Sequence, residues 1–331
     1  MSEGKFSRRK VNFALAAAGV TILTPRFTRA AEINLVHNHN LPLDSPLHKR
    51  ALQMWAAIKT ETGGKVDVQI DRGEGGLDVL AKGGVAFITL AGNNVSSLVP
   101  AADVQATPYG FRNPAQVHAA IDGELGAYLR DELRTKGIYA LPGGCFENGM
   151  HQITSNNRAI RTAADFQGLK IRIPGSPVYQ DFFKSMGAQI VTLNLTKLYD
   201  GLKAGMADAQ DDPWDVVELF KLYEFQKYAS VTEHSWSGYN LLASQKVWQG
   251  LPVDVQRTIE TNTKKYVALQ RADNDALNTT LRADLAKRGM VFNEVDKASF
   301  RPVLAAFYPK WKAHIGTRAW DLLEAQVGHL G

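Results

Sequence analysis

The chain has 331 residues, 45% hydrophobic and 21% charged, which is long enough for two domains with their own cores and shows no low-complexity tract. Its formal charge of +5 lies entirely in the first thirty residues, where six Lys/Arg face one acid; the balanced remainder excludes an electrostatic nucleic-acid or membrane-surface binder. The single cysteine, Cys145, excludes an internal disulfide and a multi-cysteine metal site, and beside Gly143-Gly144 it is expected as a small buried residue with no disulfide-linked partner.

Ser7-Arg8-Arg9-Lys10 precedes an apolar run, Val11 to Leu23, too short to span a bilayer, and small residues follow at Ala30-Ala31. That order reads as a secretory signal peptide over residues 1–30, so the mature chain is expected in the periplasm. The paired arginines suit the twin-arginine route, although Asn12 interrupts the apolar residues that such a signal carries; an ordinary secretory signal is the alternative.

Glu32 to Val36 reads as a strand and His37-Asn38-His39-Asn40 as a polar loop. Ser45-Pro46 opens a helix whose buried face is Leu47, Ala51, Met54, Trp55 and Ile58. Val66 to Ile70 alternates as a strand, a short helix lies before Gly83-Gly84, and Val85 to Leu90 is a buried strand followed by a loop, Ala91-Gly92-Asn93-Asn94. The glycines here lack the Gly-Lys-Ser/Thr of a phosphate loop. Asn113-Pro114 opens one helix to about Lys136, with Val117, Ile121, Leu125, Leu129 and Leu133 inward. Ile138 to Leu141 is a strand.

The most informative stretch runs from Asp165 to Trp214. Gly168 to Ile173 is a strand ended by Pro174-Gly175, which delivers Arg172 near its carboxyl end. A helix from Pro177 to Met186, a strand over Gln189 to Leu193, a helix capped by Thr196 and running to Met206, and a strand from Ala207 to Asp212 follow. This β-α-β-α-β order belongs to an open parallel sheet, which binds ligands beyond the carboxyl ends of its strands. Arg172 and the acids Asp208, Asp211 and Asp212 lie near such ends. Trp214 to Lys221 is a helix, and Ser230 to Ser244 is strand structure holding Trp236, Tyr239 and Asn240. Leu251-Pro252-Val253-Asp254 then opens a helix pattern that runs with no further glycine or proline to Arg288-Gly289, unusually long for one helix. Met290 to Val295 is a strand, and two closing helices span Ser299 to Trp311 and Thr317 to Val327.

Two motifs stand at a characteristic spacing: Asp-x-x-Gly-Leu-Lys-Ile-Arg-Ile-Pro over 165–174, and Leu-Tyr-x-x-Leu-x-x-Gly-x-x-Asp-x-Gln-Asp-x-Pro over 198–213, with a Gly187-Ala188 turn between them. Together they resemble the solute-binding receptors of tripartite ATP-independent periplasmic (TRAP) transporters, from about Ile33 to the C-terminus. The resemblance implies a two-domain α/β fold like that of periplasmic binding proteins. Each domain is then a twisted, mostly parallel sheet flanked by helices, and the long C-terminal helix braces both. It further implies a first domain of 31–149 plus 237–277 and a second of 150–236 plus 278–331, with the ligand cleft between them. Crossings at Gly149–Thr154 and Trp236–Asn240 would serve as the hinge. Family members are non-enzymatic, partner TRAP membrane subunits and usually grip an organic acid through an arginine at the position of Arg172.

The resemblance also makes cleft candidates of Asn38, His39, Asn93, His151, Asp212, Trp214, Trp236 and Tyr239, each of which has a bland alternative as loop or core. Many relatives carry a second arginine where His151 stands, and an asparagine where Asp212 stands. An ionised Asp212 accepts hydrogen bonds only, which disfavours a second ligand carboxylate and favours a monocarboxylate with a hydroxyl or ring. No cofactor or metal set is expected, since His37 and His39 have no nearby acidic or cysteine partner. No nucleophile motif supports an enzyme, and no effector segment supports the other alternative, the sensing module of a signalling system.

Overall fold

The computed structural model describes residues 31–73 and 76–331, with the side chain of Asn93 outside that description; the expected signal peptide therefore lies outside the described residues. Among those described, no helix is long and apolar enough to cross a membrane.

The first sheet begins with β1 (Ile33–His39), α1 (Pro46–Glu61), β2 (Val66–Arg72), α2 (Leu77–Lys82) and β3 (Phe87–Ala91). The Ser45 hydroxyl accepts from the His48 amide and Pro46 occupies the first turn, so α1 starts where its cap and proline dictate. A short α3 (Gly92–Val95) stands where a loop was expected. The helix expected from Asn113 to Lys136 is two, α4 (Pro114–Asp122) and α5 (Glu124–Arg134). Gly123 leaves helical geometry between them (φ −91°, ψ −147°), while the apolar spacing continues across the break. The next strand, β4 (Ile138–Met150), runs on past the expected end at Leu141 and is followed after a single residue by β5 (Gln152–Ser155).

The second sheet continues with β6 (Lys170–Ile173), α6 (Pro177–Ser185), β7 (Gln189–Thr192), α7 (Leu198–Lys203), β8 (Ala209–Asp212), α8 (Trp214–Leu219) and β9 (Tyr228–Val231). Ser176 caps α6 through the Tyr179 amide, whereas Thr196 falls inside a 3-10 turn ahead of α7, whose N-cap position is Lys197. The chain returns to the first sheet in β10 (Trp236–Ser244), passes through α9 (Gln245–Gly250) and α10 (Val253–Lys287), adds β11 (Val291–Glu294) to the second sheet, and closes with α11 (Arg301–Ile315) and α12 (Thr317–Val327).

The strand orders are β2-β1-β3-β10-β4 and β11-β9-β5-β8-β6-β7. Both sheets are mostly parallel, each with one strand reversed, and the reversed strands adjoin the passages between the sheets: β10 runs against β3 and β4, and β5 against β8 and β9. One crossing is His151, between β4 and β5. The other is Thr232–Ser235, not Trp236–Asn240, which lie within β10. The two crossings lie side by side, with the His151 amide donating to the Ser235 carbonyl at 2.7 Å. One apolar core runs from α4 and α5 (Val117, Leu129) through α11 and α12 (Phe307, Trp320) to α6 and β6 (Phe182, Ile171); two others gather around α1 (Met54, Trp55) and around α7 and α8 (Leu202, Val217).

The 35 residues of α10 span roughly 50 Å at the usual rise. The helix packs on β4, α1 and α8, so it touches both halves. In its middle, the Gln270 side chain accepts from the Glu147 amide at 2.8 Å and donates to the Glu147 carbonyl at 2.9 Å. The next residue, Arg271, donates to the Cys145 carbonyl and to Asp122. Cys145 is buried and unpaired, and burial pushes its thiol up to about 12.

Candidate functional site

Arg172 sits on β6 between Val191 of β7 and Gln210 of β8, buried although its neighbour Lys170 is exposed. Its Nε and Nη2 donate to the Leu193 carbonyl at 3.0 and 2.7 Å, and its Nη1 donates to Asp212 Oδ2 at 2.6 Å. A guanidinium has five N–H groups, so two remain, one on each terminal nitrogen. That pair forms the planar fork that matches a carboxylate.

This fork belongs to a cavity of about 340 Å³, within the range of small-molecule sites. Its polar wall includes Arg172, Asp212, His151, Asn148, Ser237, Asn40, Asn94 and Asn194; Leu90, Ala91, Leu195, Pro174 and Tyr239 supply apolar surface. The first crossing places His151 on its wall, the start of β10 places Ser237 there, and the carboxyl ends of β6 and β8 place Arg172 and Asp212. Burial pushes the Asp212 carboxyl up to about 6, against the pull of Arg172 and His151.

Behind Asp212 stands a fully buried network. His151 Nδ1 meets Asp211 Oδ1 at 2.7 Å, and its Nε2 meets Ser237 Oγ at 2.7 Å. Asn148 Nδ2 donates to the same Ser237 Oγ at 2.7 Å. His234 Nε2 lies 3.1 Å from Asp211 Oδ1, and its Nδ1 lies 2.8 Å from Thr232 Oγ1. Burial opposes a charged His151, but Asp211, by charge and hydrogen bond, outweighs it and holds the imidazole above its ordinary value. Burial likewise opposes ionised Asp211, yet the two histidines win and hold its carboxyl well below the usual range. For His234, burial prevails and lowers it.

His151, Asp211 and His234 are a group of metal-type donors that converge within 4.8 Å among the described residues. The 2.7 Å approach of His151 Nδ1 to Asp211 Oδ1 is that of a shared proton. Two donors so close would subtend only about 80° at a zinc ion, far from tetrahedral.

Of the residues singled out from the sequence, the cavity brings together Arg172, Asp212, His151 and Tyr239. His39 is corrected: it lies in β1, not in a loop, buried, with Nδ1 accepting from the Leu41 amide and Nε2 bonded to His48. Burial lowers its pKa to about 4. Asn38 is likewise in β1, paired with Asp71 and Ile88, and does not line the cavity. Trp236 is core, its indole N–H donating to Glu147 Oε1 at 2.6 Å. Trp214 packs on Phe292 and lines a different cavity of about 590 Å³ beside α10. That larger cavity is lined by no fully buried guanidinium: Arg271 donates to Asp122 and the Cys145 carbonyl, and Arg282 is half exposed, with one N–H on Glu294. The backbone of Asn93 is in α3; its side chain lies outside the described residues. Asn148 and Ser237 were missed; their only signal in the sequence is that each lies within three residues of a crossing.

Residues 37–315 match the family model described as bacterial extracellular solute-binding protein, family 7 (DctP). The chain is 28% identical over 269 residues to the 2,3-diketo-L-gulonate-binding periplasmic protein YiaO of Escherichia coli K12, covering 80% of this chain and 81% of that one. It is also 28% identical over 263 residues to the C4-dicarboxylate-binding periplasmic protein DctP of Rhodobacter capsulatus, covering 77% and 78%. Among solved structures, a TRAP periplasmic solute-binding protein from Polaromonas sp. JS666 bound to D-erythronate superposes with a TM-score of 0.83, covering 88% of this chain and 98% of that one; at 24% identity this likeness speaks for the fold alone. The two mixed sheets, the long bracing helix and the match over residues 37–315 make this chain a member of family 7 of the bacterial extracellular solute-binding proteins, the solute receptors of TRAP transporters.

Proposed function

We propose that the chain captures a small hydroxylated monocarboxylate between its two domains and delivers it to the membrane subunits of a TRAP transporter. The observation that carries this reading is the Arg172 fork: a buried guanidinium, anchored on the Leu193 carbonyl and Asp212, with one unused donor on each terminal nitrogen at a metabolite-sized cavity. The ligand carboxylate takes those two donors, a geometry that a lysine does not reproduce. Asp212, ionised above about pH 6, accepts from a ligand hydroxyl and repels a second carboxylate. Tyr239 covers the apolar side. Hinge motion at His151 and Thr232–Ser235 then closes the cleft and excludes water. D-erythronate, bound by the Polaromonas protein, has this chemistry, whereas the dicarboxylates of the Rhodobacter protein do not.

Arg172→Ala is the test. Truncating one partner of a buried charge pair costs about 2–5 kcal/mol, roughly 30-fold to several thousand-fold in affinity. Titration calorimetry against D-erythronate, D-galacturonate and succinate should find a binder for the wild type and none for the variant, with a cooperative melting transition in both showing that each is folded. Near-native affinity in Arg172→Ala would remove the carboxylate clamp from the reading.

A further inference from the structure

The network behind the cavity constrains one hydroxyl. We infer that Ser237 is a ligand contact of fixed polarity, a hydrogen-bond donor aimed at an acceptor oxygen of the bound acid, and that protonated His151 sets this polarity. The inference rests on the proposed capture of an organic acid and adds a second, chemically distinct recognition element to it.

A serine hydroxyl has one proton and two lone pairs. At Ser237 Oγ, Asn148 Nδ2 donates to one lone pair at 2.7 Å. His151 Nε2 lies at the other, also at 2.7 Å. His151 Nδ1 faces Asp211 Oδ1, and an ionised carboxylate only accepts, so Nδ1 carries hydrogen in either charge state. The state of Nε2 therefore decides the matter. With a proton there, both lone pairs of Ser237 are filled and its own hydrogen must point elsewhere. The cavity that Ser237 lines is the place open to it. Without that proton, Ser237 donates back to His151 and offers the ligand nothing.

Charge around His151 favours the protonated state. It is faced by Asp211 and Asp212 from β8, Arg172 from β6, His234 from the second crossing, the Tyr179 ring from α6, Ser237 from β10 and Asn148 from β4. With His234 neutral, two buried carboxylates stand against one guanidinium, and a cationic His151 balances the set. The elevated pKa of His151 agrees. The order Asp211–His151–Ser237 has the connectivity that activates a nucleophilic serine, but an imidazolium cannot take the serine proton, so this arrangement binds rather than attacks. Ser237 thus selects a ligand with an acceptor oxygen beside its gripped carboxylate, while Asp212 selects a donor; a hydroxy acid with a further hydroxyl or carbonyl oxygen satisfies both.

Two measurements test this on the full mature chain. Histidine-selective ¹⁵N NMR of the ligand-free protein should find both His151 nitrogens protonated at pH 7; a bare Nε2 at that pH overturns the inference whatever the ligand. Calorimetry with D-erythronate and D-galacturonate on wild type and Ser237→Ala, across pH 6.5 to 10, supplies the second. Below the His151 midpoint seen by NMR, Ser237→Ala should bind roughly 10-fold or more weakly. Above the midpoint, where Ser237 has turned to His151, the ratio should fall towards one. A ratio that is constant with pH, or near one throughout, overturns the inference. Loss of the carboxylate clamp would instead appear as Arg172→Ala matching wild type at every pH, so the two failures are distinguishable. Should Ser237→Ala not fold, His151→Gln supplies a pH-independent amide donor; its affinity should no longer change across the window in which wild-type affinity falls, and a persisting change overturns the inference.

Discussion

Replacing Asp212 by asparagine isolates the group that should decide between one ligand carboxylate and two. Asp212 is buried 2.6 Å from Arg172 Nη1 and at the cavity wall. Its carboxyl, pushed up by burial to about 6, is neutral at pH 5 and ionised at pH 8. At pH 8 a second ligand carboxylate held about 5 Å away would be repelled by roughly 3 kcal/mol at an effective dielectric of about 20, on the order of 100-fold in affinity. A hydroxyl donating to the ionised group gains about 1.5–3 kcal/mol, part of which the asparagine carbonyl retains. Asp212→Asn should therefore raise the affinity for succinate relative to D-erythronate by about 100-fold at pH 8, read by titration calorimetry with both acids on both proteins. At pH 5 the wild type should itself behave like the variant, because the proton does there what the substitution does at pH 8. An unchanged ligand ranking at pH 8 would refute the reasoning and leave Asp212 as an anchor for Arg172 only.

Closure about His151 and Thr232–Ser235 should reduce the radius of gyration in small-angle scattering at saturating ligand; an unchanged radius would mean a rigid site. Asp215, partly buried at the start of α8 and bonded to the Val216 amide and Asn274, has its carboxyl pushed up by burial to about 7. The unfolded chain releases this proton first, so stability falls as pH rises from about 4 to 7 and stays lower above. Asp215→Asn should accordingly leave the melting temperature unchanged near pH 4 and raise it at pH 8. The expected gain is about 1–2 kcal/mol after allowance for solvent screening, or a few degrees; equal shifts at both pH values would remove Asp215 as the cause.

What could be read from the sequence was what depends on near neighbours. Ser45-Pro46 and Ser176-Pro177 announce helix starts because cap and first-turn proline act within four residues. The uninterrupted pattern after Pro252 announces α10 for the same reason. Arg172 was legible because a strand ending in Pro174-Gly175 fixes which residue reaches the carboxyl end. The errors involve distant partners. His37 and His39 look like a polar loop, yet β1 buries them because His37 finds Thr89 and Trp55 and His39 finds His48. The break at Gly123 is invisible to apolar spacing that continues across it. Trp236 and Tyr239 were given equal standing, but they stand three apart in β10 and so point to opposite faces of the sheet, Tyr239 with Ser237 to the cavity and Trp236 to the core. Asn148 and Ser237 carry no local mark, since only the meeting of β4 and β10 joins them.

The helix α10 has a consequence for the behaviour of this chain at high concentration. β4 ends its sheet, with β10 as its one strand neighbour there, and a thirteen-residue edge is a template for another chain. The Gln270 amide meets both the N–H and the C=O of Glu147, as the backbone of a neighbouring strand would. Arg271 occupies the Cys145 carbonyl and Asn274 the Asn148 carbonyl at 3.4 Å. Side chains of a helix thus stand in for a missing strand and occupy the edge from Cys145 to Asn148 that another chain would otherwise pair with.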